Sequence, residues 1–401
     1  MLYYDQGQLK FVGEKQPLLN WVAHYQEPTY VYSGKQMELR AQALIAALPE
    51  TTEIYYALKA NDHKEVLRLF IRLGLGMDVV SLGELQWSLE QGCPPHKIIF
   101  SGVGKTEKEL IYAIQVGVRQ INVESIPELR RISRLTHQLQ TPAAIGLRVN
   151  PNVDAQTHPY IATGLKNNKF GIEVEALNEC EQIFESNSLM NFKGFSLHIG
   201  SQLTDLSVCT EALDKLRPVI DQWKSKGYRF ETLDVGGGLG IFYDRFDDQQ
   251  ELALAKEWGE RIRKAWGGLS EKILVEPGRW LVAHGGVLLT RVEYIKKTSL
   301  HSFAVVDTGM HHLLRPALYQ AQHRILPLLE PPTPATMVTS ASCEYQVVGP
   351  ICESSDVVAS KVHLLNLKEG DFLAVLDVGA YGHVMSSHYN RRPPAQEIYL
   401  G

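Results

Sequence analysis

A lysine stands at the end of an apolar stretch early in the chain. Ile54 to Leu58 carry only apolar or aromatic side chains, which predicts a buried strand, and Asn61 then opens a helix. Lys59 is costly to bury in this position because its charge resists leaving water. One role that fits is loss of the proton, which makes the amine a nucleophile able to form a Schiff base. The alternative is a lysine that extends its charge to solvent, and Lys59 alone does not decide between the two.

Other predicted strands also end in groups that can do chemistry. These groups are Asp78, Arg148, His198 with Ser201, the glycine run Gly236–Gly240, and Glu276 with Gly278 and Arg279. In a barrel of parallel strands, active-site groups come from the carboxyl ends of the strands. A lysine, a histidine, a glycine run and a glutamate at matching strand ends therefore predict an active site at that end of a barrel.

The glycine run, with Gly237 and Gly238 at its centre, predicts an anion site. Glycines let backbone N–H groups crowd around an anion, and phosphate sites in such barrels often follow strands seven and eight. Glu276 would lie beside this phosphate, so the ligand should also carry a protonated group. Pyridoxal phosphate (PLP) offers a phosphate, an aldehyde for Lys59 and a pyridine nitrogen that a carboxylate keeps protonated. His198 could stack on the ring, and its alternative is a hydrogen-bonded histidine of the core.

Strands alternate with amphipathic helices up to about residue 276. The predicted strands are Ile54–Leu58, Gly76–Val80, Lys97–Ser101, Gln120–Val123, Ala144–Val149, Phe195–Ile199, Leu233–Gly236 and Ile273–Glu276. Helix starts at Ser81, Thr106 and Ser125 fit the S/T-x-x-E capping box. The alternation implies parallel pairing, and eight strands favour an α/β fold of the (β/α)8 TIM-barrel type over an open sheet, which would also alternate.

After Glu276 the pattern changes to strands with few helices. The predicted strands there are Val287–Tyr294, Phe303–Asp307, Thr336–Ser340, Tyr345–Val348 and Phe372–Leu376. We therefore expect a PLP-binding barrel over residues 29–280 and a second, all-β domain over residues 281–401. Residues 1–28 have the pattern of an irregular lead-in and are grouped with the second domain. The tail from Ala380 is expected to return to the barrel as a helix or loop.

The bulk composition is that of an ordinary globular protein. The 401 residues are 44% hydrophobic and 21% charged, with a net charge of -5 and a sequence pI near 6.3. This balance gives no reason to expect nucleic acid or a membrane as a partner. The five cysteines are scattered and odd in number, and we find no signal-peptide pattern. We therefore expect a cytoplasmic protein rather than one with a disulfide framework or a structural zinc site.

Several longer motifs resemble those of the diaminopimelate decarboxylases. These enzymes belong to the barrel-type, alanine-racemase-like PLP enzymes, together with ornithine and arginine decarboxylases. The motifs are YALKAN, RVNPNVDAQTHPYIATGLKNNKFGI, HIGSQ, LDVGGGLGI, EPGR, RPALY, VVGPICESSD and GAYGHVMSSHYN. The resemblance runs from about Thr29 to the C-terminus. It implies PLP-dependent decarboxylation of meso-diaminopimelate to L-lysine and CO2, the last step of lysine biosynthesis, by a homodimer with shared active sites.

The resemblance also implies roles for individual residues. Lys59 would form the Schiff base, and His198 would stack on the ring. Glu276 would protonate the pyridine nitrogen, and Cys352 would be the proton donor. The residues expected to hold the cofactor are Lys59, Asp78, Arg148, His198, Ser201, Gly237, Gly238, Glu276, Gly278, Arg279 and Tyr381. The residues expected to bind the substrate are Arg279, Arg315, Tyr319, Glu353 and Tyr381.

The far end of the substrate distinguishes it from related amino acids. Arg279 and Arg315 suit its carboxylate, and Glu353 suits its ammonium group. Ornithine ends in an amine only and would leave both arginines unpaired, which is costly in a closed site. The alternative for Arg315 is a surface salt bridge, and the alternative for Cys352 is a small buried apolar residue.

Two other functions are considered beside this one. The first is a decarboxylase for another amino acid, such as a siderophore or polyamine precursor. The second is a catalytically inactive PLP-binding regulator, which would be expected to lose Lys59 or Cys352. The chain departs from the family at His311 and His312, where a polar Asn-Asp pair is common. We expect no metal there, because adjacent histidines point in different directions and no carboxylate cluster accompanies them.

Overall fold

The computed structural model describes residues 2–153, 169–245, 247–266, 270–330 and 342–401. These residues fold as two units. The barrel unit comprises Ala41–Ile241 and Asp248–Gly278, and the β unit comprises Met1–Arg40, Phe242–Asp247 and Arg279–Gly401. None of the described helices is both long and apolar enough to cross a lipid bilayer.

The described residues form nineteen strands and ten α-helices. The strands are β1 (Leu2–Asp5), β2 (Gln8–Phe11), β3 (Thr29–Ser33), β4 (Thr52–Ala57), β5 (Gly76–Val79), β6 (Ile98–Phe100), β7 (Gln120–Val123), β8 (Ala143–Asn150), β9 (Ile172–Glu173), β10 (Met190–Ser196), β11 (Thr232–Asp234), β12 (Lys272–Val275), β13 (Gly286–Lys297), β14 (Ser302–Val306), β15 (Ile325–Pro327), β16 (Ser342–Val348), β17 (Val357–Leu365), β18 (Phe372–Val375) and β19 (Gln396–Leu400). The helices are α1 (Gly34–Ala47), α2 (Lys64–Arg72), α3 (Leu82–Glu90), α4 (Glu107–Val116), α5 (Ile126–Leu139), α6 (Leu177–Ser186), α7 (Ser207–Ser225), α8 (Asp248–Trp266), α9 (Arg279–Val282) and α10 (Arg315–Tyr319).

Eight strands of the barrel unit form a closed ring. The order runs β4, β5, β6, β7, β8, β10, β11 and β12, and β12 pairs again with β4. The ring closes where β8 lies beside β10, with Arg148 opposite Ser196. Every neighbouring pair in the ring is parallel, so the carboxyl ends of all eight strands meet at one end of the barrel. The predicted (β/α)8 barrel is confirmed.

Local capping chemistry fixes the start of several helices that follow these strands. Ser81 and Ser125 each accept a hydrogen bond from the backbone N–H three residues later, at the first turns of α3 and α5. Thr106 and Glu109 at the start of α4 form a complete capping box, in which each side chain accepts a hydrogen bond from the backbone of the other. The three predicted capping boxes therefore mark true helix starts.

Some barrel strands end earlier than the sequence predicted. β4 ends at Ala57 rather than Leu58, β10 ends at Ser196 rather than Ile199, and β12 ends at Val275. The apolar run continues because the loops at this end of the barrel are themselves buried, with Leu58 0% and Ile199 5% exposed. Burial alone therefore overestimates how far the strand hydrogen bonds extend.

The β unit is built around β13, its longest strand. β13 pairs antiparallel with β3, β14 and β18 at different parts of its length, and β3 pairs in parallel with β19. The apolar core includes Phe11, Leu18, Val31, Leu289 and Leu376. The predicted all-β second domain is confirmed, with the short helix α10 inserted between strands.

Two predictions for the chain ends were wrong. Residues 1–28 are not irregular, because β1 and β2 form an antiparallel hairpin with Leu2 opposite Phe11. The end of the tail is a strand rather than a helix or loop, because β19 pairs with β3. Both errors concern pairing between segments far apart in the chain or short amphipathic strands, which local patterns do not reveal.

The division into units also differs in detail from the predicted domain limits of 29–280 and 281–401. β3 lies inside the predicted barrel domain but pairs with β13 and β19 of the β unit. The short segment Phe242–Asp247 also belongs to the β unit. The predicted strand Thr336–Ser340 lies outside the described residues.

Candidate active site

Lys59 was predicted to stand at the end of a strand, but it lies in the turn that follows this strand. It sits in the 3-10 turn Leu58–Ala60, directly after β4. The following helix begins later than expected, at Lys64, with His63 as its N-cap. Lys59 Nζ lies 3.7 Å from Oδ2 of Asp78, a fully buried residue on the neighbouring strand β5. The lysine side chain itself is 38% exposed, so its amine is held by a carboxylate yet open to a ligand.

Glu276 lies at the same end of the barrel as Lys59. It follows β12, the ring neighbour of β4, and Ala57 N donates a hydrogen bond to Pro277 O at 3.1 Å. Glu276 is buried, and its Oε1 lies 3.3 Å from Asn122 Nδ2 and 3.4 Å from Ser101 Oγ. Burial, together with nearby carboxylates, raises the pKa of Glu276 well above its ordinary value. This carboxyl needs a cationic or N–H partner to ionise.

A second buried carboxyl, that of Asp234, lies beside Glu276. Its Oδ1 accepts a hydrogen bond from Gly236 N at 2.9 Å, and its Oδ2 accepts one from Asn122 Nδ2 at 3.0 Å. Burial raises the pKa of Asp234 to about 6. Sequence inspection missed this residue, although it ends β11 two residues before the glycine run, and a carboxyl is unusual in a buried strand.

The glycine run forms a tight turn that excludes side chains. Gly236 and Gly238 have φ of 70° and 102°, a region that favours glycine. A Cβ at Gly237 would lie 2.0 Å from the carbonyl oxygen of Glu276, and a Cβ at Gly238 would lie 2.4 Å from that of Gly200. The segment that holds Ser201 runs beside this turn, because Leu203 N donates to Gly238 O at 2.8 Å.

Gly278 brings the chain close to the Lys59 turn. A Cβ at Gly278 would lie 3.1 Å from the Cβ atoms of both Ala57 and Ala60, which flank the lysine. Such a separation is tighter than an ordinary van der Waals contact, so the absence of a side chain eases the approach of the two segments. The strand-end loops after β4 and β12 therefore pack together around Lys59 and Glu276.

His198 is held as a neutral imidazole next to the glycine run. Gly237 N donates to its Nδ1 at 3.2 Å, which places the ring proton on Nε2. Burial and the positive charges of Arg148 and Lys59 lower the pKa of His198 well below its ordinary value. Arg148 Nη2 donates to the His198 carbonyl at 3.1 Å, and Arg148 Nη1 pairs with buried Glu124 at 2.7 Å. Glu124 was also missed, since it resembles an ordinary helix-start residue.

The residues of the barrel unit fit PLP in three respects. The amine of Lys59 is accessible at the strand ends. The turn at Gly236–Gly238 has no Cβ atoms, so a phosphate could approach its backbone closely. Glu276 is a buried carboxyl whose pKa is raised by burial, and a protonated ring nitrogen would be the missing partner for its ionised form.

A second group of predicted residues lies in the β unit around Tyr243. Arg279 Nη1 donates to the Tyr243 hydroxyl at 2.7 Å, and the guanidinium carbon of Arg315 lies 4.6 Å from the centre of the same ring. The guanidinium carbon of Arg279 also lies 4.8 Å from the ring centre of Tyr381. Both arginines are buried, and burial together with the charge of Arg279 lowers the pKa of Arg315. Two buried cations gathered in this way favour an anionic ligand.

His323, which sequence inspection missed, fixes the Arg315 side chain. Its Nδ1 lies 2.8 Å from Leu376 O, so Nδ1 carries the proton and Nε2 must accept. Arg315 Nη1 lies 2.8 Å from that Nε2. Burial and the charge of Arg315 lower the pKa of His323 to about 3. Tyr319, at the end of α10, lies close enough to Arg279 to contribute to its raised pKa.

Cys352 and Glu353 lie on an exposed turn of the β unit, unlike the buried arginines. Glu353 accepts hydrogen bonds from Tyr389 and, at 3.2 Å, from Ser355 Oγ. Asp356 anchors the turn because its buried carboxylate accepts from the backbone N–H groups of Met310 at 2.6 Å and Ile351 at 2.7 Å. The exposed side chains are therefore presented on a rigid base.

The two adjacent histidines pack against each other inside the β unit. The rings of His311 and His312 have centroids 3.8 Å apart. His312 is held at both ring nitrogens, by Thr308 Oγ1 at 3.2 Å and by Pro393 O at 2.9 Å. Within the part of the chain that the structure describes, no group of three metal-binding side chains is found.

Comparison with known proteins shows the class of enzyme to which this chain is similar. Residues 35–283 match the family model described as the pyridoxal binding domain of pyridoxal-dependent decarboxylases. The diaminopimelate decarboxylase of Vibrio cholerae is 42% identical and aligns over 99% of this chain and 93% of its own. That of Pseudomonas aeruginosa is 46% identical over 93% of this chain and 87% of its own.

A solved structure agrees with these relatives. The crystal structure of diaminopimelate decarboxylase from Helicobacter pylori complexed with L-lysine matches with a TM-score of 0.88 at 38% identity. The match covers 96% of this chain and 94% of that one. The chain therefore belongs to the diaminopimelate decarboxylase family of PLP-dependent enzymes.

Proposed function

We propose that the protein decarboxylates meso-diaminopimelate to L-lysine and CO2 with PLP as cofactor. One observation carries the proposal: Lys59, Glu276 and the glycine turn meet at one end of the barrel although they are far apart in sequence. The names of the relatives support the substrate, and the Helicobacter pylori relative was crystallised with L-lysine.

The barrel unit would hold the cofactor. Lys59 would bind its aldehyde carbon covalently, Glu276 would face the ring nitrogen, and His198 would pack against the ring. The glycine turn with Gly237 and Gly238 would line the phosphate site, with Ser201 and Gly278 nearby. When bound, PLP supplies an electron sink that stabilises the negative charge left on the substrate Cα as CO2 departs.

The electrostatics of His198 and Glu276 suit these tasks. Neutral His198 adds no positive charge against a ring that is itself protonated. Glu276, whose buried carboxyl lacks a strong cation partner, would gain one when it faces a ring N–H. Asp78 lies 3.7 Å from Lys59 Nζ and would orient the amine. Arg148 would act through His198, whose carbonyl it holds.

The substrate would be recognised at its far end. Arg279 and Arg315 would bind the distal carboxylate, assisted by Tyr319 and Tyr381. A two-arginine site rejects ornithine and arginine because it would leave buried guanidinium groups without an anion. Glu353 would bind the distal ammonium group.

Cys352 would return a proton to the substrate Cα after CO2 leaves. In a single chain Cys352 and Glu353 are exposed on the turn that Asp356 anchors. We infer that this turn completes the site of a second copy, so the active unit is a homodimer with shared sites. We also infer a cytoplasmic location, because all five cysteines are unpaired.

A turnover assay on the purified protein with added PLP tests the function. Lysine and CO2 should appear from meso-diaminopimelate, and ornithine and arginine should react far more slowly. Lys59→Ala should abolish turnover and the visible absorption of the bound cofactor. Preference for ornithine or arginine would reject the substrate, and full activity without PLP would reject the mechanism.

The assigned proton donor is tested separately with a matched pair of variants. Cys352→Ala should lower kcat by about a hundredfold, a typical loss for a proton-transferring group, while PLP remains bound. Cys343→Ala, which changes another free cysteine of the β unit, should leave kcat as it is. Equal kcat values for the two variants would remove the role given to Cys352.

A further inference from the structure

A row of polar side chains crosses the interior of the barrel behind Glu276. Thr232, Gln120 and Asn122 are each no more than 2% exposed. Thr232 Oγ1 lies 2.7 Å from Gln120 Oε1, and Gln120 Nε2 lies 2.6 Å from Asn122 Oδ1. Neither substrate recognition nor cofactor contact, as assigned above, uses these residues. Burying three polar side chains is expensive unless each hydrogen bond is made.

The row ends at the two buried carboxyls. Asn122 Nδ2 lies 3.0 Å from Asp234 Oδ2 and 3.3 Å from Glu276 Oε1, so one amide group contacts both acids. It also lies 3.2 Å from Ser101 Oγ. In the ionised state that would receive a cationic ring, the carboxylates only accept hydrogen bonds, so the amide nitrogen rather than the amide oxygen must face them.

This requirement fixes the direction of every bond in the row. With Asn122 Nδ2 toward the acids, Asn122 Oδ1 faces Gln120 and must accept from Gln120 Nε2. Gln120 Oε1 then faces Thr232 and accepts from its hydroxyl at 2.7 Å, whereas Lys193 O, the other acceptor near this hydroxyl, lies farther away at 3.0 Å. Each amide is thereby locked against a flip that would turn an oxygen toward the carboxylates. The row transmits the orientation of a hydroxyl on β11 to an amide on β7.

A glycine on the neighbouring strand leaves room for this row. Gly146 of β8 lies opposite Asn122 in the parallel ladder. A Cβ at Gly146 would lie 2.2 Å from Gln120 Nε2 and 2.6 Å from Asn122 Oδ1. Glycine inside a strand weakens it and marks a close approach by another group. Here the approaching groups are the two amides themselves.

We propose that Asn122 is a positioning residue for Glu276: its amide, aligned by Gln120 and Thr232, supports the Asp234 and Glu276 carboxyls as a pair of adjacent anions that together receive the cationic cofactor ring. This inference rests on the PLP binding proposed above and extends it to residues that do not touch the cofactor.

The electrostatics of the pair require such support. Two buried carboxyls this close resist simultaneous ionisation, and burial raises the pKa of both Asp234 and Glu276. The buried carboxyl of Asp78 raises both pKa values further, whereas the charge of Lys59 lowers the pKa of Glu276. A hydrogen-bond donor to the charged form opposes that rise. Without the Asn122 amide, the pair takes up a proton at higher pH, and the ring nitrogen loses its counter-charge. Cofactor affinity should therefore fall most on the acid side.

The experiment measures the PLP dissociation constant of the full-length protein by titrating the cofactor-free form and following the absorption of the bound cofactor. Asn122→Leu keeps the branched shape and the number of side-chain heavy atoms but has no donor. It should bind PLP about tenfold more weakly than wild type at about pH 6 and less than about threefold more weakly at about pH 8.5. An equal loss at both pH values would indicate a merely structural role and overturn the proposal.

A second pair of variants tests the row at a distance from the acids. Thr232→Val removes the hydroxyl with little change in shape, and Thr232→Ser keeps it. Thr232→Val should weaken PLP binding about threefold at about pH 6, whereas Thr232→Ser should match wild type. Identical affinities for the two Thr232 variants would show that the amide orientation is not transmitted, and would overturn the proposal even where Asn122→Leu fails to fold.

These outcomes are separable from failure of the proposed function. The readout is cofactor affinity and needs no substrate. A wild-type protein that binds PLP but does not release CO2 from meso-diaminopimelate would reject the substrate and leave this test intact. A wild-type protein that turns over normally, with pH-independent affinity losses in Asn122→Leu, would reject only the role of Asn122.

Discussion

The role proposed for Glu276 and the stability of the fold pull in opposite directions. Its carboxyl is buried beside that of Asp234, and burial raises the pKa of both groups. Without a cation to face, an acid in this position destabilises the fold whenever it must ionise. Such conflicts are common at active sites, where a group is held in a state that only the ligand relieves.

Replacing the acid should therefore stabilise the cofactor-free protein. A carboxyl with a raised folded-state pKa contributes stability at low pH, and that contribution is lost as pH rises above its unfolded value near 4.3. Glu276→Gln should raise the thermal unfolding midpoint of PLP-free protein by about 2 °C at about pH 8, and by less at about pH 5. Calorimetry at both pH values measures this. A midpoint lowered at about pH 8 would contradict the prediction.

His323 gives the opposite pH dependence. Burial and Arg315 lower its pKa to about 3, whereas an unfolded histidine has a pKa of about 6.5. As pH falls, His323 is therefore protonated in the unfolded chain before it is protonated in the folded protein. The stability from neutral His323 is complete above about pH 6.5 and is lost as pH falls toward about 3.

The variant His323→Phe should remove this acid sensitivity while lowering stability at neutral pH. Between about pH 4 and 6, the unfolding free energy of wild type should fall more steeply, by about 1.4 kcal/mol per pH unit. Urea unfolding at several pH values gives the two slopes. Equal slopes would mean that the folded protein protonates His323 as readily as the unfolded chain does.

At the scale of elements, the turn that carries Cys352 depends on Asp356. Its carboxylate accepts from Met310 N and Ile351 N, and Gly309 and Gly349 pack so close that a Cβ would lie 2.6 Å and 2.4 Å from carboxylate oxygens. The turn is thus built around one acid rather than around apolar packing.

Asp356→Ala should free this turn without disturbing the barrel. We expect kcat to fall about tenfold, since loss of positioning costs catalysis, while PLP affinity stays unchanged. Limited proteolysis should cut the variant faster near residues 351–356. Undiminished kcat would show that the turn holds its shape without Asp356, and a parallel loss of PLP would point to general unfolding.

The barrel elements could be predicted because their signals are local. Buried parallel strands are continuous apolar runs, and the boxes at Ser81, Thr106 and Ser125 mark helix starts within four residues. The hairpin of β1 and β2 and the β3–β19 pair could not be predicted, since their partners are set by the tertiary fold. Lys59 was recognised from its place at a strand end, although the strand stops two residues earlier.

Residues of the candidate site could be predicted where the residue type is unusual for its place in the sequence. They could not be predicted where the residue type is common. A lysine after an apolar strand and three successive glycines are unusual. Tyr243, His323 and Asn122 resemble any core or loop residue, and only their contacts with Arg279, Arg315 and Glu276 reveal what they do. Glu353 was named from the resemblance alone, and its role stays a prediction.

At the scale of the whole molecule, shared sites make a prediction about mixtures. Lys59→Ala lacks the cofactor lysine, and Cys352→Ala lacks the assigned proton donor. If each site takes Lys59 from one copy and Cys352 from the other, half of the dimers in a random mixture are heterodimers. In each heterodimer, one of the two sites has both residues intact. Mixing the inactive variants should then restore about a quarter of wild-type activity.

The mixture is prepared by co-expression with two affinity tags, and activity is measured before and after isolation of the doubly tagged dimer. The doubly tagged fraction should approach half of wild-type activity per dimer. No recovery in that fraction would show that both groups act within one chain, and monomeric protein in scattering measurements would reject the shared site directly.

The pairing of β3 with β19 has a consequence for biosynthesis. Thr29 is made early and its ladder partner Gln396 is made at nearly the other limit of the chain. A nascent chain can complete the barrel segments Ala41–Ile241 and Asp248–Gly278 while it is still on the ribosome, but β3 waits with one edge open until residue 400 emerges. A product that stalls before β19 would thus display an open edge of an apolar strand, which suits recognition by chaperones and proteases. Quality control would then sense whether β19 has been made and paired.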